Sequence, residues 1–201
     1  MNPFERVRSV VILMPQTDIN TDEIVPARFM SRARADYGRY FFHDRRFDSD
    51  GGLRAGFVLN EPRYENAQIL LAGTNFGCGS SREHAVFALA DFGVRVVMAP
   101  KLADIFHANC FKNAVLPIEL SESFASQLQE TLRGDPGGEV EVDLEGQTVT
   151  GPGGLTCWFE IDAFRKRNLL CGLDEIDRTL GLLADIERFE VRRGPAPEIL
   201  E

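Results

Sequence analysis

The sequence predicts an α/β fold: a mixed sheet flanked by helices, followed by a helical C-terminal extension. Between residues 68 and 118, short apolar runs alternate with segments of helical length. Glycines stand where the turns must fall, at Gly73, Gly77, Gly79 and Gly93. Beyond residue 122 the chain changes character, and a helix, an alternating strand and two more helical segments follow without repeat or linker.

Residues 7–14 are rich in β-branched side chains and end at Pro15, so they read as the first strand. A polar turn over 16–23 leads into the apolar segment 24–29. Residues 31–56 mix Arg, Asp, aromatics and Gly without a period, and read as a long, partly ordered loop with a short helix. Residues 69–72 form a buried strand, and 73–79 a glycine-rich turn. The spacing then predicts a helix over 80–92, with Ser80 as N-cap, Glu83 completing a capping box and Gly93 closing it. Residues 94–98 are a strand stopped by Pro100. A helix is expected over 101–112, with Leu102, Ile105, Phe106 and Asn109 on one face. In the short strand 115–118, Pro117 argues for an edge or a strand end. Strand, helix, strand, helix, strand in this order implies a parallel or mixed layer.

Residues 122–133 read as an amphipathic helix with Phe124, Leu128 and Leu132 aligned, ended by Gly134. Residues 139–145 alternate strictly, as a strand with one wet face does, and Gly146-Gln147 turns it into a partner at 148–150. Helices over 162–170 and 174–190 are separated by Gly172, and a patternless tail covers 193–201. One domain is expected over residues 1–160, with a helical extension and tail over 161–201.

Of the 201 residues, 44% are hydrophobic and 26% charged, which suits a soluble chain able to bury a core. Acidic residues outnumber basic ones by 31 to 22, and the net charge of -9 argues against a nucleic-acid partner. An anionic ligand would need cations concentrated locally. The apolar run 10–14 is too short to span a membrane, and the N-terminus lacks a signal-peptide layout. No membrane partner and a cytoplasmic location are therefore expected. Cys78, Cys110, Cys157 and Cys171 form neither a C-x-x-C pair nor a zinc-type cluster, so reduced thiols and no metal site in this chain are expected.

The most informative stretch runs from Asn75 to Ala85, N-F-G-C-G-S-S-R-E-H-A. On physical grounds it is a glycine turn feeding a helix start, where free N–H groups and the helix dipole favour an anion. Gly77 and Gly79 would allow close approach to the backbone. Arg82 adds a guanidinium able to hold a carboxylate through two hydrogen bonds. The plainer reading makes Ser80 a cap and Arg82 a surface residue. Packing roles are the simpler reading of Cys78 and His84, and dipole complementation explains Lys112 as well as a site would. Arg32, Arg34, Arg39, Arg45 and Arg46 read as a solvated or partner-facing surface.

This loop resembles the signature of the swivelling domain of aconitase-like hydratases, within which the chain is most similar to the isopropylmalate isomerase small-subunit family. The likeness extends to residues 18–29, to the segment from Ala103 through Asn113 to Ile118, and to 164–174. One departure is Val86-Phe87, where those relatives carry Pro-Trp. The resemblance implies a swivelling β/β/α domain that closes over a large subunit, and that large subunit as the partner. It also implies a [4Fe–4S] cluster on the large subunit with none bound by this chain. The expected reaction is reversible loss and re-addition of water, moving a hydroxyl of isopropylmalate through isopropylmaleate in leucine biosynthesis. By position, Ser80 matches the catalytic base, Asp22 an active-site aspartate, and Ser81 and Arg82 carboxylate-binding groups. Arg28 is a further candidate for a small dicarboxylate substrate. A sister dehydratase acting on 2-methylmalate (citraconate), dimethylmalate or homoaconitate would share these groups, whereas a non-enzymatic carboxylate-binding module would have no need of all of them.

Overall fold

In the computed structural model, which describes residues 2–193 except 33, 35 and 36, Arg6–Met14 forms β1. Val7 and Val11 face one core cluster while Ile12 and Met14 face the other. Both faces of this strand are covered, as an internal strand of an α/β sheet requires. A single turn, α1 (Thr21–Ile24), follows with Asn20 and Glu23 in a reciprocal capping box.

The segment expected to be a long loop is held by aromatic side chains rather than by a regular backbone. The 3₁₀ turn Ala27–Phe29 precedes it, and it contains the 3₁₀ turn Tyr37–Tyr40 and the short helix α2 (His43–Arg46). Tyr37, Phe41 and Phe42 are fully buried. Arg46 was expected on a solvated surface, yet it is half-buried against the Phe92 ring and donates to the carbonyls of Gly38 and Phe41. Buried apolar area without a period carries no secondary-structure signal, which is why the sequence reads this segment only as a partly ordered loop with a short helix.

β2 (Ile69–Ala72), α3 (His84–Phe92), β3 (Val96–Ala99), α4 (Asp104–Lys112) and β4 (Leu116–Glu119) complete the alternating half. The second half contains α5 (Glu122–Gly134), β5 (Glu139–Asp143), β6 (Thr148–Thr150), β7 (Thr156–Trp158), α6 (Ala163–Cys171), α7 (Glu175–Gly181) and α8 (Leu183–Arg193). The seven strands form one sheet in the order β4-β3-β2-β1-β5-β6-β7. β1 is the seam: it runs parallel to β2, with Val11 opposite Ile69, and antiparallel to β5, with Ser9 opposite Val140. β4 lies at one edge, as Pro117 foretold. The three-residue β7 at the other edge was not foreseen, since so short a run cannot show an alternation.

Three helix expectations are corrected. α3 begins at His84, not Ser80. α4 begins at Asp104, because residues 101–103 are extended and bonded to the 75–76 loop: Lys101 accepts from Asn75 and Ala103 donates to Phe76. Ile105 is accordingly 52% exposed instead of packing with Leu102 and Phe106. The helix expected over 174–190 is broken at Leu182, which ends α7. Leu180, Leu182 and Leu183 remain exposed, so no packing compensates the poor helix propensity of Gly181. The tail at 194–201 lies outside the described residues. Among the described residues no helix is long and apolar enough to cross a membrane.

Leu128 of α5 is fully buried. Leu128→Ala is expected to cost about 2–5 kcal/mol in urea unfolding, whereas Ile105→Ala should stay within about 0.5 kcal/mol of the parent. Equal losses at the two positions would contradict the packing described.

Candidate active site

β1 and β2 run parallel and stop in register, with Met14 opposite Ala72. The segments leaving their carboxyl ends therefore lie side by side, at the position where open α/β sheets bind ligands. These segments are bonded to each other along their length. Asp18 N–H donates to Thr74 O (2.9 Å), Gly77 N–H to Ile19 O (2.8 Å) and Thr21 N–H to Cys78 O (2.9 Å). Side chains add to the pairing: Asn75 Nδ2 donates to Asp18 Oδ1 (2.7 Å) and the Thr21 hydroxyl to Ser80 O (3.3 Å). Asp18 and Asn75 both take left-handed backbone conformations, with φ of 58° and 62°, which Asp and Asn tolerate better than most residues.

The glycines of the loop are required by geometry. Gly77 has φ of 79°, and a Cβ there would fall 2.3 Å from the Phe106 ring. Gly79 has φ of 95°. The chain then turns outward, leaving Ser80 and Ser81 exposed, with neither hydroxyl bonded to any described residue. Arg82 is partly covered, and its guanidinium pairs with Asp22 at the start of α1. Asp22, Ser80, Ser81 and Arg82 are thus brought to one lip of the sheet.

The expected capping box at Ser80 does not form. Glu83 itself occupies the N-cap position of α3 with no side-chain cap bond. Its carboxylate accepts from Asn113 Nδ2 at 2.8 Å, and Arg82 is drawn aside to Asp22. These tertiary partners outcompete the local cap. The N–H groups of Glu83, His84 and Ala85 consequently bond to no acceptor among the described residues. They form a patch of free donors three to five residues beyond Ser80, in keeping with an anion cradle.

Arg28 stands apart. It forms a two-point pair with Asp44, one contact at 2.9 Å, and lies over the Phe29 ring. The guanidinium holds the Asp44 carboxyl below its ordinary range. No hydrogen bond or ion pair joins Arg28 to the 78–82 loop among the described residues. His84 packs between the Tyr37 and Phe87 rings, and Cys78 Sγ donates to Asp18 O at 3.3 Å. The Asp18–Asn75 bond and Thr21 escaped sequence reading. Their residue types tolerate tight turns, but only the paired strands reveal which residues meet.

Burial pushes the thiols of Cys78, Cys110 and Cys157 upward, Cys157 to about 11. Among the described residues no group of three or more His, Cys, Asp or Glu could hold a metal ion. The arrangement instead offers exposed hydroxyls, a guanidinium and free N–H groups on one open side, which suits a small carboxylate enclosed from the opposite side by another surface.

Gly77→Ala is expected to lose about 1–4 kcal/mol in stability, combining left-handed strain with the Phe106 clash. Equilibrium denaturation of the variant with an unchanged midpoint would show that the loop geometry differs.

Comparison with known proteins agrees with the geometry. The family model described as Aconitase C-terminal domain matches residues 1–123, and the one described as LeuD_N matches residues 126–163. Proteins named 3-isopropylmalate dehydratase small subunit from Dinoroseobacter shibae and Jannaschia sp. are 46% and 47% identical, each alignment covering 98% of both chains. One of the same name from Brevibacillus brevis is 44% identical over 96% of this chain and 100% of its own. A 3-isopropylmalate dehydratase structure from Methanocaldococcus jannaschii superposes with a TM-score of 0.63 at 23% identity, covering 94% of this chain and 99% of that one, which supports the fold.

Proposed function

Since the chain belongs to the 3-isopropylmalate dehydratase small-subunit family, we propose that it closes over a large subunit and supplies the groups that bind and deprotonate isopropylmalate in leucine biosynthesis. The observation that carries this reading is the set of unbonded Ser80 and Ser81 hydroxyls beside the Asp22–Arg82 pair, at the carboxyl ends of two parallel strands.

The reaction is a dehydration followed by rehydration, with no net redox change. A proton leaves one carbon, the hydroxyl leaves its neighbour, and water returns with the two positions exchanged. Ser80 is the base that takes the carbon-bound proton. A neutral hydroxyl is far too weak for this, so the alkoxide needs stabilisation by Arg82 and the free N–H groups at the start of α3. Ser81 and Arg82 hold a substrate carboxylate, which must displace or share Asp22 to reach the guanidinium. Asp22 keeps Arg82 oriented until that exchange. A [4Fe–4S] cluster on the large subunit would supply the electrophile that assists hydroxyl departure. Arg28 would reach substrate only after release from Asp44.

The test is anaerobic assembly with the large subunit, followed by hydration of isopropylmaleate and of citraconate. Ser80→Ala is expected to lower kcat by about 10²–10⁴-fold with the complex intact and KM little changed. Arg82→Lys should act mainly by raising KM, because the two-point contact is lost. A fully active Ser80→Ala enzyme would remove the serine from the mechanism, and preference for citraconate would reassign the substrate.

A further inference from the structure

Away from the Ser80 lip, α4, α6 and α7 enclose a cleft of about 370 Å³, contiguous with a larger one of about 870 Å³ that opens between the two sheet edges. Phe111 and Arg165 line both. We propose that this surface is a docking site for the large subunit and receives an acidic, apolar-flanked segment of that chain. The inference rests on the small-subunit reading and adds where the partner binds.

Charge is the first argument. In a chain of net charge -9, Lys112, Arg165 and Arg178 converge on the smaller cleft. None of the three forms an ion pair among the described residues. Asp174, the acid lining the smaller cleft, accepts from the N–H groups of Ile176 and Asp177, each at 2.8 Å; of the acids lining the larger cleft, Glu119 pairs with Lys101 and Asp162 caps α6, and Glu160 is the third. The Arg165 and Arg178 guanidinium groups lie over the Phe111 and Phe164 rings, at 4.7 and 5.0 Å. Stacking fixes their planes and leaves the N–H edges free for carboxylates.

Apolar exposure is the second argument. Trp158 and Phe164 are 60% and 50% exposed, and Ile176 and Leu180, one turn apart on α7, are 71% and 60% exposed. Large apolar side chains interleaved with arginines are the composition of a protein interface rather than of a small-ion site.

Continuity with the reaction lip is the third. The 75–76 loop pairs with residues 101–102, and Leu102 N–H and Lys101 Nζ both bond to the Glu119 carboxylate, each at 3.1 Å. Glu119 lines the larger cleft. The loop that carries Ser80 is thus tied through buried Phe76 and Leu102 to a wall of the cleft.

The experiment measures the affinity of the full-length chain for its large subunit by sedimentation, for the parent and for the double variant Arg165→Glu/Arg178→Glu. Circular dichroism and thermal unfolding of the variant confirm its fold. We expect the Kd to rise by about 10- to 100-fold, with a reduced dependence on salt and with kcat restored at saturating large subunit. Ser80→Ala should bind like the parent. Equal affinity of parent and double variant would overturn the docking site while leaving the small-subunit reading intact. Failure of the parent to bind would overturn both. The docking site is also overturned if the double variant abolishes self-association of the chain, or binding of inorganic phosphate, without altering affinity for the large subunit.

Discussion

The in-register parallel pairing of β1 with β2 is the constraint on which the functional surface depends. It brings two segments more than fifty residues apart in sequence out of the sheet at the same level, where they bond to one another rather than to solvent. The Asp18–Asn75 hydrogen bond joins two left-handed residues, each unfavourable alone, and makes the turns mutually supporting. Loosening the pairing by one residue would reverse the facing of every side chain on β1 and β2 and separate Asp22 from Arg82.

Rigidity below the lip and openness above it have the same origin. The parallel strands are covered on both faces, by the aromatic cluster with α3 and α4 on one side and by α5 and α6 on the other. Strands buried on both sides leave little freedom to the backbone emerging from them. The loop itself is glycine-rich and climbs away from the core, so its serines remain exposed while their backbone is anchored. Half of a reaction site can thus be preorganised in one chain and completed by another surface.

Electrostatics follow the same division. Arg82 at the lip is matched by Asp22 and Arg28, apart from the lip, by Asp44, whereas the cations of the α4–α6–α7 cleft form no ion pair among the described residues. Matched pairs keep a strongly acidic chain from attracting anions indiscriminately, and an incoming carboxylate must compete for the guanidinium. Exposed pairs of this kind contribute little to stability, so exchanging partners costs little.

The sequence by itself determined the alternating elements, the edge position of β4, the α5 helix and the loop carrying Ser80, because each is written in local periodicity, proline and glycine placement or a specific motif. Tertiary structure alone decided where α3 starts: Asn113 and Asp22 take Glu83 and Arg82 away from the local cap that the spacing suggests. It also decided that Tyr37, Phe41 and Phe42 are buried in the core, in a segment that has no period, and that Arg28 is tied to Asp44 rather than to the serine loop. Partners distant in sequence compete with local preferences of about 1 kcal/mol and readily prevail, so such choices are settled only when the chain is folded.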